Sequence, residues 1–97
     1  MIDINNLPPP GTLCQIHARV HWAEQDCWTD EYGSLFVILE HISVNRYGLP
    51  ASGEKIGIAT AAYEYGDSMY FRILFKGQKL ICDFDNNFVD LAADRVY

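Results

Sequence analysis

"SMYFRILFKGQKLICDF", residues 68–84, carries the clearest structural signal in the chain. Met69, Phe71, Ile73 and Phe75 alternate with Tyr70, Arg72, Leu74 and Lys76; Gly77 interrupts the run, and Leu80, Cys82 and Phe84 resume it. A period of two with one apolar face is what a half-buried strand requires, because successive side chains leave a strand on opposite sides. Two such runs around a glycine read as a β-hairpin with a short turn at about residues 76–79.

Working outward, residues 12–22 also alternate. Cys14, Ile16, Ala18, Val20 and Trp22 share one face, and Leu13, Gln15, His17, Arg19 and His21 the other, so the segment reads as one strand. "AEQDCWTDEYG", residues 23–33, breaks that pattern and ends in glycine, which suggests a long acidic, aromatic loop. Residues 34–44, "SLFVILEHISV", suit a pleated surface and are expected as a central strand covered on both faces near its start. "NRYGLPASGE" has the composition of a loop. In "KIGIATAAYEY", residues 55–65, the many small residues imply a strand closely approached by a neighbour, with a helix open as an alternative over residues 58–65. The tail "DNNFVDLAADRVY" is expected to hold one short helical turn at residues 87–93, capped by Asn86 or Asn87.

Short strands, regular turn signals and no long amphipathic helix indicate an all-β fold. The expectation is a small, strongly bent barrel of about five strands. "MIDINNLPPPG", residues 1–11, is read as an extended N-terminal arm, because three adjacent prolines exclude helix and central strand. Residues 12–97 would then form a single β-barrel domain. Within it, Ala61, Tyr63, Glu64 and Tyr65 of "AAYEYGD" resemble the A-L-Y-D-Y stretch of Src-homology-3 domains, whose tyrosines help line a groove for proline-rich peptides. The resemblance implies a Src-homology-3-like barrel, with the oligonucleotide/oligosaccharide-binding barrel as second choice. In that family the motif precedes the groove tryptophan, whereas here Trp22 and Trp28 both come first.

Composition narrows the function. The 97 residues include 7 basic and 13 acidic side chains, a net charge of −6, which opposes direct binding to nucleic acid. No run of about 18 apolar residues suggests a membrane span, and no signal peptide is evident. Three cysteines, Cys14, Cys27 and Cys82, leave one unpaired in any disulfide scheme and favour a reducing cytoplasm.

Candidate chemistry is sparse. Cys14, His17, His21 and Cys27 are zinc-ligand types, but on one strand Cys14 faces away from the histidines, and residues four apart stand about 13 Å from each other. "DFDNN" from Asp83 has calcium-type spacing at its start but Phe88 where such a loop needs glycine. No nucleophile motif or phosphate-cradling loop is present, so neither an enzyme nor a cofactor is expected. Aromatic residues in loops are more informative, since Tyr and Trp combine a large rigid apolar face with a polar handle. The expected partner-binding residues are Trp28, Tyr32, Asp26, Asp30, Glu31, Tyr47, Tyr63 and Tyr65. The resulting expectation is a protein-protein interaction or assembly module whose partner is another protein, with a basic face; self-association stays open. One alternative is a small acidic inhibitor, of the kind viruses use, that occupies the basic nucleic-acid site of a target. Another is a small metal- or thiol-dependent enzyme.

Overall fold

In a computed structural model, which describes residues 7–59, 69–84 and 88–96, the chain is all-β, without a helix among the described residues. Among the described residues, nine strands, rather than about five, form one strongly curled sheet: β1 (Leu13–Ile16), β2 (Arg19–Trp22), β3 (Cys27–Asp30), β4 (Leu35–Ile42), β5 (Ile58–Ala59), β6 (Met69–Phe75), β7 (Gln78–Phe84), β8 (Phe88–Asp90) and β9 (Arg95–Val96). Their order is β3-β2-β5-β7-β6-β4-β1-β8-β9, so β3 and β9 are its two edges among the described residues. All pairings are antiparallel except β5 with β7.

The count rises because expected elements subdivide. Residues 12–22 are two strands, broken at His17 and Ala18, where the chain changes partners: β1 lies between β4 and β8, β2 between β3 and β5. Alternation continues through the break, so Cys14, Ile16, Ala18 and Val20 all point into the core. The expected loop over residues 23–33 is instead a turn at residues 23–26, strand β3 and a second turn. The expected helical turn at residues 87–93 is also absent: Phe88–Asp90 pairs with β1, and residues 91–94 turn back into β9. Strand pairing on both sides decides the matter, and Asp90 Oδ1 accepts hydrogen bonds from the backbone N–H groups of Ala92 and Ala93 within the turn between the two strands.

The β6–β7 hairpin forms as the alternation predicts. Phe75 pairs with Gln78 across Lys76 and Gly77, which have φ of 49° and 76°. Two successive positive φ values make a turn whose twist matches the flanking strands, and glycine adopts the second without strain. Phe71, Ile73 and Phe75 point inward with Cys82 and join Phe36, Ile38, Ile58 and Phe88 in the main core. On the opposite face Tyr70 and Ile81 form a smaller core with Ile42 and Ile56, under the segment that links β4 to β5. Tyr70 Oη donates to the Gly48 carbonyl at 2.9 Å, and Arg72 pairs with both Glu40 and Glu54.

β4 is central in the sheet, between β1 and β6, and is kinked between Ile38 and Glu40. It is not covered on both faces near its start, since Leu35 is 49% exposed. Residues 7–12 lie against it: the Gly11 N–H donates to the Ile38 carbonyl at 2.7 Å, and His41 Nε2 donates to the carbonyl of buried Pro8. Close approach at Gly57 is real, because a Cβ there would stand 3.0 Å from Leu80 Cδ2. The strand-or-helix question over residues 58–65 falls largely outside the described residues, which end at Ala59 and resume at Met69. No helix among the described residues is long and apolar enough to cross a membrane.

The three thiols are separated by the fold. Cys14 and Cys82 are core residues, and Cys27 is exposed. Burial, then the nearby Asp90 carboxylate, pushes the Cys14 thiol up to about 12; burial, then Asp83, pushes Cys82 well above the ordinary range. A thiolate is the reactive form. Titration of native protein at pH 8 with a thiol-reactive dye is expected to label one cysteine, Cys27, and all three only after denaturation. Rapid labelling of a native Cys27→Ser variant would contradict the assignment.

Candidate functional site

Two β-strands of four residues each, β2 and β3, make a hairpin whose two faces differ in chemistry. Their register sets Arg19 opposite Asp30, Val20 opposite Thr29, His21 opposite Trp28 and Trp22 opposite Cys27. The turn Ala23–Asp26 closes with Asp26 at φ 48°, a left-handed conformation that aspartate tolerates better than most residues.

Inward, Trp22 packs against Phe75, with ring centroids 5.8 Å apart. Its Nε1 donates to Thr29 Oγ1 at 2.8 Å, and Thr29 Oγ1 donates onward to Glu31 Oε1 at 2.9 Å. The Glu31 carboxylate is buried and also accepts from Ser34 Oγ at 2.7 Å and from Lys76 Nζ at 2.9 Å. Burial alone would raise the pKa of this carboxyl. The hydrogen bonds from Ser34, Lys76 and Thr29, with the Lys76 charge, outweigh it and hold the group below its usual value. The network ties the end of β3 to the β6–β7 turn. Beside it lies an open groove of about 710 Å³, whose lining includes Trp22, Cys27, Thr29, Glu31, Lys76 and Leu80. Lys76 is engaged by Glu31 there.

Outward, Trp28 is 40% exposed and rests on its neighbours: the His21 ring is 5.2 Å away and the Arg19 guanidinium 5.7 Å from its centroid. A cation over an indole face is worth about 0.5–1 kcal/mol at an exposed site, enough to bias the ring's orientation. His21 is buried beneath; its Nε2 donates to Asp26 Oδ1 at 2.8 Å, and its Nδ1 has no hydrogen-bond partner among the described residues. The expected partner-binding residues therefore divide. Asp26, Trp28 and Asp30 come together on this hairpin, and Tyr32 follows in the next turn, 65% exposed, with its N–H bonded to Asp30 Oδ1. Glu31 is not part of the surface. Tyr47 lies in a separate turn, where Arg46 covers its ring, and Tyr63 and Tyr65 lie outside the described residues.

Arg19 and His21 were not among the expected site residues, although reading residues 19–30 as a hairpin would have set His21 beside Trp28. The four zinc-ligand residue types are dispersed: Cys14 is in the core, His17 is exposed and bonds Gln15, His21 lies under Trp28, and Cys27 lines the groove. Comparison with known proteins finds no matching family model, curated protein or solved structure.

Proposed function

We propose that this chain is a non-enzymatic protein-protein interaction or assembly module that binds another protein through the outer face of the β2–β3 hairpin. The observation that carries the reading is Trp28: a large aromatic, 40% exposed, oriented by Arg19 and His21 on a strand at the edge of the sheet. Interfaces draw most of their affinity from a few such pre-oriented aromatic anchors. Tyr32 widens the apolar surface, and Asp26 and Asp30 suit a basic partner. The barrel type this reading assumes is Src-homology-3-like, supported by the strong curl of the sheet and the change of strand partners at His17 and Ala18. The exposed free thiol of Cys27 fits a reducing compartment, the cytoplasm.

Affinity capture from native lysate, followed by titration of the captured partner, tests this directly. Trp28→Ala is expected to weaken binding on the order of 30-fold while leaving the thermal midpoint within a few degrees. Unchanged affinity in a folded Trp28→Ala protein would remove the basis of the proposal. A second reading, an acidic inhibitor of a nucleic-acid-binding protein, draws on the exposed carboxylates of Glu24, Asp26 and Asp30 on one hairpin. It predicts that nucleic acid competes with this chain for the captured partner.

A further inference from the structure

β3 has a paired side and an open side. Its inner side is paired to β2, and nothing lies beyond it in the sheet order of the described residues. Such an edge presents backbone N–H and C=O groups ready to receive another strand. Cys27, Trp28 and Asp30 are exposed along it. Proteins blunt such edges with a very short strand, charged side chains, proline or a bulge; Cys27–Asp30 is short and carries one charge, Asp30, but has no lysine, proline or bulge.

The side chains say what kind of strand would fit. Trp28 and Asp30 are two apart and share the outer face, and Asp26 reaches that face through its bond to His21. Trp28 and Asp30 thus stand two residues apart on one side of an edge strand, with the Asp26 carboxylate at the turn that precedes it. A second copy of β3, paired antiparallel about Trp28, would bring Asp30 of each copy toward the turn that carries Asp26 in the other. Like charges directly opposite destabilise a strand pair, whereas opposite charges stabilise it. The whole chain, at −6, adds to the repulsion between copies.

We propose that the outer edge of β3 receives an extended basic segment of another protein as an additional strand, with cationic residues at alternate positions meeting Asp26, Trp28 and Asp30. Backbone pairing supplies affinity, and the two carboxylates and the indole supply register, since a slip by one residue would turn the cations to the opposite face. The proposal rests on the hairpin being an interaction surface and adds the class of partner and the mode of binding.

The probe is a fluorescein-labelled seven-residue peptide, amidated at its C-terminus, alternating threonine with lysine or arginine. Its binding to the full chain is followed by anisotropy at low salt. Two further peptides carry N-methyl groups on one or the other alternate set of backbone amides. Strand addition requires that one set weaken binding at least about tenfold and that the other leave it within about twofold, because only one set of N–H groups faces β3. Asp30→Lys is expected to weaken the parent peptide about fivefold or more, and raised salt to weaken it further. The proposal is overturned if the parent peptide does not bind, if both methylated peptides bind alike, or if sedimentation shows that copies of the chain already pair through this edge. Each of these would leave the effect of Trp28→Ala on the captured partner standing. Conversely, loss of that effect would remove the wider reading without changing the peptide result.

Discussion

Phe71→Ala is expected to lower the free energy of unfolding by about 3–5 kcal/mol, the range for truncating a buried phenylalanine. Phe71 is 0% exposed in the middle of β6, set between His41 of β4 and Cys82 of β7. Its ring meets Phe88 and His41 edge-on, with centroids 6.2 Å and 5.4 Å away, so alanine would leave a cavity bounded by three strands and lose both ring contacts. Domains of this size are stable by about 5–15 kcal/mol in total, so a fall in Tm of more than about 10 °C should follow. Leu74→Ala is the matched control: Leu74 lies on the same strand but is 41% exposed, and its loss should cost less than about 1 kcal/mol. Equal losses for the two variants in urea titrations would contradict the assignment of the main core to the Phe71 face.

The second large effect is expected at Glu31. Alanine there removes the shared acceptor of Thr29, Ser34 and Lys76 and should cost about 1–3 kcal/mol at neutral pH. The figure stays moderate because the Lys76 side chain is 56% exposed and regains water when its partner is lost. Linkage sets the pH dependence. The folded-state pKa of Glu31 lies below its unfolded value of about 4.3, so the stabilisation is fully present above that value and is lost as pH falls through the folded-state pKa. The difference between wild type and Glu31→Ala should therefore be widest near pH 7 and narrow by pH 3. Urea midpoints at the two values measure it, and a difference that grew toward acid would show that the carboxylate does not stabilise the fold. Glu31→Gln, which keeps the shape but not the charge, should fall between the two proteins at pH 7.

Legibility in the sequence tracked how strongly one face is buried. The β6–β7 hairpin was readable because Phe71, Ile73 and Phe75 alternate without a break and Gly77 marks the turn. β3 was not: it is an edge strand of four residues, CWTD, with none fully buried, so its sequence has no apolar period to detect. Its turn, Ala23–Asp26, contains neither glycine nor proline, and the left-handed position is filled by an aspartate. The tail misled in the opposite way. Leu91, Ala92 and Ala93 favour helix, but pairing of Phe88–Asp90 with β1 and of Arg95–Val96 with β8 outweighed that preference.

The candidate site was legible as a composition and not as an arrangement. Acidic and aromatic residues between positions 24 and 32 pointed to a surface, and the structure groups Asp26, Trp28 and Asp30 on one hairpin. Glu31 could not be distinguished from them by sequence, because one of the partners that hold its buried carboxylate, Lys76, lies 45 residues away in another turn.

Local alternation, set by the pleat of a strand, was enough to determine an all-β chain, the inward faces of β1, β2, β6 and β7, and the position of the main hairpin. Only the tertiary structure decided the order of the described strands, that the Glu31 carboxylate lies inside, and that Trp28 stands on Arg19 and His21 on a strand at the edge of the described sheet. Those features depend on strand order and on pairs distant in sequence, and a periodicity of two residues carries no information about either.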